Sequence, residues 1–211
     1  FLERGRDIPF LIVLGLALIV KEEVPLTVAA VGAYLFLDKG RRRLGAGVLL
    51  VGVVYFALAI GWAMPHLGGK PQIDTRFGGY MASGWGGAAG VAWTLLTNPL
   101  FTVTWILGNP QKLIFLLQVF LPVLFLPLLA PAAAWIPTLP AFAILLLTST
   151  HAQYDITYHY TAHLIPTIFY LAALGMGRVG DRQGSGRVAL AAGLLVVALA
   201  MNYLYGPLIS K

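Results

Sequence analysis

The chain has 211 residues, of which 59% are hydrophobic and 10% are charged, and its formal net charge is +6. Soluble domains carry about 25% charged residues, so this composition excludes an ordinary water-soluble protein. The positive charge does not indicate nucleic-acid binding, because most lysines and arginines fall in three short clusters between apolar runs, where such charges orient membrane helices. The clusters are Arg4 with Arg6, Lys39 with Arg41, Arg42 and Arg43, and Arg178 with Arg182 and Arg187.

Two short apolar runs separated by three charges form the first predicted element. Residues 8–20 and 24–37 would each form a helix about 20 Å long, too short to cross a hydrocarbon core of about 30 Å. Basic clusters flank both outer ends and favour the cytoplasm. The pattern therefore predicts a short helical hairpin with Lys21, Glu22 and Glu23 at a tip inside the bilayer. One long helix with the charges at its middle is the alternative.

The next predicted elements are a clean span and a long glycine-rich stretch. Residues 44–64 predict a spanning helix that ends at Pro65. Residues 65–111 do not span, and they predict two interfacial helices over residues 91–97 and 100–107. Tryptophans in this stretch indicate interface anchors rather than a sugar platform: Trp85, Trp93 and Trp105. The many glycines indicate close helix packing.

Further apolar segments complete the chain. Residues 113–129 predict a span kinked by Pro122 and Pro127, and the remaining segments are residues 139–148, 161–176 and 188–205. Together they predict an all-α fold, a polytopic transmembrane helical bundle of about six embedded segments in the cytoplasmic (inner) membrane. We expect a single domain over residues 1–211. Because the first residues are like an internal loop and not a signal peptide, we expect the chain to be the C-terminal part of a longer one.

The predicted topology groups the polar residues on the extracytoplasmic side, where we expect a composite site. An ionised side chain at the bilayer centre costs about 2.5–3.5 kcal/mol. Lys21, Glu22 and Glu23 are therefore candidates for a phosphate-binding lysine with a general base or metal ligand. The alternative is a hairpin tip that reaches the headgroups, with Lys21 paired to a carboxylate.

A second candidate group lies in the polar loop over residues 151–160 and just beyond it. His159 and His163 are spaced to share one face of a helix, with Asp155 and Tyr160 beside them. Such a group suits a divalent metal, a diphosphate, or a porphyrin or chlorophyll pigment. Ordinary interfacial histidines and tyrosines are the alternative.

The long loop supplies the remaining candidates. Arg76 has the planar donor geometry that grips phosphate bidentately, unless it is a solvated loop charge. His66, Asp74 and Tyr80 are possible partners of the same site.

Several segments together resemble a known family. They are Lys21-Glu22-Glu23 before residues 26–32, Pro65-His66, the proline-rich residues 120–131, and His159-Tyr160-Thr161-Ala162-His163. The combination resembles the C-terminal half of a bacterial and archaeal family of polytopic membrane proteins of unknown function, distantly similar to the GT-C glycosyltransferases. That resemblance implies a membrane enzyme that uses a polyprenyl-phosphate-linked sugar at the extracytoplasmic face. GT-C enzymes usually carry a catalytic Asp or Glu in an early loop, and we expect that loop to lie in a part of the longer chain that precedes residue 1.

The resemblance suggests roles for the candidate residues. Glu22 or Glu23 would be catalytic, and the substrate would be held by Lys21, His66, Arg76, Asp155, His159, Tyr160 and His163. Two other functions stay open. One is a non-catalytic integral subunit of a larger energy-converting or pigment-binding membrane complex, and the other is a transporter or lipid flippase. The expected partners are membrane lipids, a polyprenyl-phosphate sugar or other subunits, with a divalent metal or a pigment as the possible cofactor.

Overall fold

A computed structural model describes residues 5–69, 72–81, 86–179 and 185–205. Throughout these residues the chain forms helices joined by short turns, with no β-strand, so the predicted all-α fold is confirmed. The chain divides into two compact units, Phe1–Gln72 with Ile136–Ala141, and Ile73–Trp135 with Phe142–Lys211. Some predicted cluster and anchor residues lie outside the described structure, wholly or in their side chains: Arg4, Trp85, Arg182 and Arg187.

The first unit begins with the predicted helical hairpin. Helix α1 (Asp7–Leu18) and helix α2 (Val24–Leu37) are separated by a turn that holds the charged triplet. The carboxylate of Asp7, at the start of α1, forms an ion pair with Arg41, which follows α2 in the chain. The outer ends of the two helices therefore lie together, which confirms the hairpin and excludes the single long helix.

A long helix follows the hairpin in the first unit. Helix α3 (Arg42–Leu58) continues through a π-helical turn (Ala59–Ala63) into a final turn, α4 (Met64–His66). These 25 residues form one helix that is long and apolar enough to cross a membrane. Pro65 lies inside the last turn and does not end the helix, contrary to the prediction. A proline ring presses on the carbonyl four residues earlier, and the wider π turn directly before Pro65 accommodates it.

Glycines bring α2 and α3 into close antiparallel contact. A Cβ atom added to Gly32 would overlap the main chain of Leu49, and one added to Gly45 would overlap the main chain of Phe36. Residue numbers rise along α2 as they fall along α3 at these two contacts, so the helices run in opposite directions. Small residues allow such close approach of helix backbones, and the predicted packing role of the glycines is confirmed here.

The second unit begins with three short helices. They are α5 (Ile73–Phe77), α6 (Gly87–Thr97) and α7 (Pro99–Leu107). Helices α6 and α7 meet at Asn98 with a bend of 99°, as in a broken span or a re-entrant loop. The two short helices predicted for this stretch are confirmed, although α6 begins earlier than the apolar pattern indicated.

The prediction of one span over residues 113–129 is wrong. Helix α8 (Pro110–Phe120) ends well short of the predicted boundary. Two short 3-10 turns follow it, Leu121–Val123 and Leu126–Leu129.

The backbone between these two turns reverses direction. Leu124 and Phe125 have positive φ angles of 49° and 55°, and the Phe125 amide donates to the Phe120 carbonyl at 3.0 Å. This six-residue hydrogen bond with a left-handed residue inside it is the pattern that terminates helices. Pro122 and Pro127 have no amide hydrogen with which to continue the helix, so the chain turns instead of merely kinking.

Three further α-helices belong to the last part of the chain: α9 (Leu139–Leu147), α10 (Ile165–Val179) and α11 (Ser185–Tyr205). Within α11, Val188–Tyr205 is apolar and long enough to cross a membrane, and the bent α6–α7 pair would form a further span. Other apolar helices of the described residues have 10–17 residues, fewer than the about 20 that a straight span needs. The described structure therefore has two or three helical elements that can span a membrane alone, against the about six embedded segments that hydropathy predicts.

Helix α10 packs tightly on the turn Leu126–Leu129. Gly175 faces the carbonyl of Leu126 so closely that an added Cβ would overlap it. Near the end of α10, Arg178 donates a hydrogen bond to the carbonyl of Leu129 at 2.8 Å. The carbonyl of Leu129, at the end of the irregular segment, thus receives a hydrogen-bond partner from α10, which stabilises this turn.

Candidate functional site

The tip of the hairpin holds a partly buried ion pair. The Lys21 ammonium lies 2.6 Å from a carboxylate oxygen of Glu23, and Glu23 has only 7% of its surface exposed. Glu22 is half-buried beside them. Pairing of Lys21 with a carboxylate is the simpler of the two interpretations offered by the sequence. The catalytic role of Glu22 or Glu23 stays a prediction.

His66 ends the long helix of the first unit. Its Nδ1 lies 2.7 Å from the carbonyl oxygen of Trp62, one turn earlier, and its ring packs against the Trp62 ring at 5.1 Å. The side chain is exposed. A histidine that donates from Nδ1 to a carbonyl keeps Nε2 for another ligand, so the geometry is compatible with the predicted substrate-binding role.

Main-chain contacts of Arg76 join the long loop to the polar segment before residue 151. The Arg76 carbonyl accepts hydrogen bonds from the Ser149 amide at 2.7 Å, the Ser149 hydroxyl at 2.8 Å and the Thr148 hydroxyl at 3.0 Å. Two parts of the predicted composite site are therefore adjacent within the second unit. The contacts fix the backbone of Arg76, while phosphate binding by its guanidinium stays a prediction.

Two other candidates from the long loop have structural roles. The Asp74 carboxylate accepts a hydrogen bond from the Gly87 amide at 2.6 Å, which places a negative charge at the start of α6, where helices favour it. Tyr80 is fully buried, and its hydroxyl is 2.6 Å from that of Thr102. Tyr80 is therefore closed to a ligand, whereas the exposed Asp74 uses one carboxylate oxygen in this contact.

The paired histidines do not share a helix face. His159 and His163 lie in one 3-10 helix, His159–His163, which has three residues per turn, so side chains four apart point about 120° away from each other. His159 is exposed and stacks on Tyr160 with 4.5 Å between the ring centres. Within the described residues, no group of three or more His, Asp or Glu is arranged to hold a metal ion. The shared face is therefore a wrong prediction, because the spacing argument assumed an α-helix.

Asp155 closes the polar loop on itself. Its carboxylate accepts hydrogen bonds from the amide of Thr157 at 2.9 Å and from the hydroxyl of Thr157 at 2.7 Å. These bonds, with a smaller contribution from the charge of His151, lower the pKa of Asp155 below its ordinary value. Asp155 is thus an ionised turn residue, and its predicted contact with substrate stays a prediction.

A site that sequence patterns do not reveal lies in the first turn of α8. Lys112 has 1% of its surface exposed. Its ammonium lies 4.6 Å from the centre of the Trp105 ring and 5.4 Å from that of the Tyr154 ring. Both are cation–π distances. We call Lys112, Trp105 and Tyr154 the lysine cage.

Hydrogen bonds hold the two rings of the lysine cage. The Trp105 indole donates to the carbonyl of Leu147 at 3.1 Å, and the side-chain amide of Asn109 donates to the Tyr154 hydroxyl at 3.3 Å. Phe101 packs against Trp105 at 5.9 Å from behind. Trp105 is therefore part of a half-buried aromatic cluster, and its role as an interface anchor stays a prediction.

Lys112 is a buried cation without a carboxylate. In the described part of the chain its ammonium forms neither an ion pair nor a hydrogen bond. Its electrostatic contacts there are the cation–π contacts with the two rings. Burial lowers the pKa of Lys112 from 10.5 to about 8, because removal from water disfavours the charged form. At pH 7 a group with that pKa is still about 90% protonated.

Comparison with known proteins gives one match. A family model described as "Predicted membrane protein (DUF2079)" matches residues 1–211. Neither the curated proteins nor the solved structures contain a match. The match agrees with the resemblance to an uncharacterised membrane family that the sequence motifs indicate.

Proposed function

The chain belongs to this family of predicted membrane proteins, and on that premise we propose that it is a multi-pass protein of the cytoplasmic membrane with GT-C-like glycosyltransferase activity. Its donor would be a polyprenyl-phosphate-linked sugar at the extracytoplasmic face. The observation that carries the proposal is the charged hairpin tip, where Glu23 is buried against Lys21 at the junction of two apolar helices. A buried ionisable group at membrane depth is costly and is therefore a functional candidate.

The tip has the groups that the chemistry needs. In sugar transfer, the hydroxyl oxygen of the acceptor forms a bond to the anomeric carbon while the bond from that carbon to the phosphate oxygen breaks. The electron pair of the broken bond leaves with the polyprenyl phosphate, and the hydroxyl proton passes to a carboxylate. Glu22 or Glu23 would accept this proton as the general base. Lys21 would hold Glu23 in place through their ion pair.

The test is transfer by carboxamide variants of the tip. The purified chain in lipid nanodiscs is given a panel of polyprenyl-phosphate-linked hexoses, and released polyprenyl phosphate is measured by mass spectrometry. General-base catalysis is worth about 100- to 10,000-fold in rate, so Glu22→Gln or Glu23→Gln should lower release by at least about 100-fold. Asp38→Asn, at the exposed far end of α2, is the matched control and should be as active as the wild type.

A folding readout separates chemistry from stability. Glu23→Gln removes a carboxylate that pairs with the half-buried Lys21 ammonium, which destabilises, so the thermal unfolding of each variant is measured beside its activity. Lys21→Met combined with Glu23→Gln restores charge balance at the tip and should recover stability without recovering transfer. Full activity in both single carboxamide variants would exclude the catalytic role.

One observation favours a second candidate, a non-catalytic subunit of a larger membrane complex. The span Val188–Tyr205 has none of its apolar window buried against the rest of the described chain. A helix so exposed packs against lipid or against a partner subunit. Native electrophoresis after mild solubilisation distinguishes the two cases, since a stable stoichiometric assembly that lacks transferase activity would favour the subunit.

A further inference from the structure

We propose that the lysine cage binds the phosphate group of a membrane lipid, with Lys112 as the cationic ligand-binding residue. The phosphate chemistry follows from the cage itself. The identification of that lipid with the sugar donor rests on the proposed function.

The first support is the missing counter-charge. An ammonium has three hydrogen-bond donors. The faces of the Trp105 and Tyr154 rings attract its positive charge, but they have no lone pairs that could accept a hydrogen bond. The described residues give Lys112 no oxygen acceptor. A buried charge without such partners is costly, and a phosphate oxygen supplies both the charge and the acceptors.

The position of Lys112 on its helix gives a second, independent support. It is the third residue of α8 (Pro110–Phe120), at the end where the helix dipole is positive and cations are disfavoured. An anion there is favoured by the helix and by the lysine together. The side chain and the carbonyl of Asn109 already accept the first amides of α8, so the lysine charge and not the main chain would hold the anion.

The hydroxyl of Tyr154 can complete the binding site. The Tyr154 hydroxyl accepts from Asn109, which leaves its own hydrogen for a ligand oxygen. Gln153, directly before it, is also buried, at 1% exposed. The two residues are neighbours in the 3-10 helix His151–Tyr154, where adjacent side chains point about 120° apart, so Gln153 is not counted among the ligands of the cage.

The surface beyond the cage indicates a lipid as the source of the phosphate. The residues that follow Lys112 on α8 expose apolar side chains: Leu113 is 37% exposed, Ile114 51% and Leu117 53%. Since these side chains lie about 100° to 200° around the helix axis from Lys112, they bring α8 into contact with lipid and do not form a track that leads from the cage. A soluble anion would gain nothing from these apolar side chains, whereas each buried methylene of a lipid adds about 0.8 kcal/mol.

The test measures lipid binding by the full chain in nanodiscs of phosphatidylcholine. Undecaprenyl phosphate and phosphatidylglycerol are the two probes, and occupancy is read by native mass spectrometry. Lys112→Met keeps the length of the side chain and removes its charge. We expect binding to weaken by about 10- to 100-fold, the effect of one charge-assisted contact. Selective loss of undecaprenyl phosphate supports the donor site, and selective loss of phosphatidylglycerol supports a phospholipid site.

A matched lysine controls for the loss of a charge beside an aromatic ring. Lys39 lies 5.6 Å from the centre of the Tyr34 ring but is exposed, and Lys39→Met should leave the binding of both probes unchanged. If Lys112→Met does not fold, Tyr154→Phe keeps the ring of the cage and removes only the hydroxyl, and it should weaken binding several-fold. Binding of both probes that is unaltered by Lys112→Met, or by Tyr154→Phe if only that variant folds, overturns the proposal.

The same samples separate this site from the proposed function. Sugar transfer is measured on the wild type and on Lys112→Met. Lipid binding that depends on Lys112 in a wild type without transfer would retain the site and exclude the transferase. Transfer by the wild type, with lipid binding that does not depend on Lys112, would retain the transferase and exclude the site.

Discussion

Replacement of Gly45 by alanine tests whether close contact between α2 and α3 stabilises the first unit. The added Cβ would lie 2.5 Å from the amide nitrogen of Phe36 and 2.8 Å from the carbonyl oxygen of Gly32. Non-bonded heavy atoms pack best at about 3.5–4.0 Å, so the two helices must separate by about 1 Å. The opposing atoms belong to the main chain and no side-chain rotation relieves the clash. Overpacking of this kind costs about 1–3 kcal/mol in the free energy of unfolding.

Gly47 offers a control on the same helix. A Cβ added there meets no heavy atom within 4 Å. Both substitutions gain the same helix propensity, about 0.8–1.0 kcal/mol, so the difference between the two variants isolates the clash. Equilibrium unfolding in lipid nanodiscs should place Gly45→Ala below Gly47→Ala by about 1–3 kcal/mol. Equal stability of the two variants would refute the close-packed interface.

The remaining predictions concern the second unit. Gly175→Ala should be less stable than Gly177→Ala by about 1–3 kcal/mol in the same assay, because only a Cβ at position 175 overlaps the Leu126 carbonyl. Similar stabilities of the two variants would contradict the close packing of α10 on the turn Leu126–Leu129. Burial lowers the pKa of Lys112 to about 8 in the folded protein, against 10.5 in the unfolded chain. Between these two pH values the unfolded chain binds more protons than the folded protein, so the free energy of unfolding rises with pH. Relative to Lys112→Met, the wild type should gain about 2 kcal/mol from pH 7.5 to pH 9.5 without added anionic lipid. Parallel pH profiles of the two proteins would show that the lysine is not desolvated.

The hairpin is the feature that the sequence predicts best. Three charges between two apolar runs, with basic residues outside, have one arrangement that keeps both ends on the same side of a membrane. The observed turn between α1 and α2 and the ion pair of Asp7 with Arg41 follow this arrangement. The abundance of glycine likewise indicates close helix packing, and α2 and α3 show it, although the sequence does not indicate which helices meet.

Hydropathy fails where the backbone decides the structure. Residues 113–129 are as apolar as a membrane span, but Pro122 and Pro127 interrupt the helical hydrogen bonding. Leu124 and Phe125 take a left-handed backbone conformation, which is rare for residues of these types and which hydropathy does not predict. The histidine pair fails for a similar reason, since its spacing was interpreted with 3.6 residues per turn in a segment that has three.

The lysine cage was missed because its members are distant in sequence. Lys112 precedes an apolar run, as flanking lysines of membrane helices commonly do. Its burial depends on Trp105 from α7 and Tyr154 from the polar loop, which only folding brings to the same place. The local signal, a lysine in the first turn after Asn109-Pro110, indicates a helix start but says nothing about burial.

Charge balance indicates different roles for Lys21 and Lys112. Lys21 already faces a buried carboxylate at 2.6 Å, so that an incoming phosphate would have to displace Glu23 and leave that carboxylate without its partner, at a cost of several kcal/mol. Lys112 has no carboxylate to displace within the described chain. The phosphate-binding role that the sequence suggests for Lys21 therefore fits Lys112 better, and Lys21 is better suited to orienting a catalytic Glu23. If so, Lys21→Met should lower the rate of transfer while leaving the affinity for undecaprenyl phosphate unchanged, whereas Lys112→Met should lower the affinity.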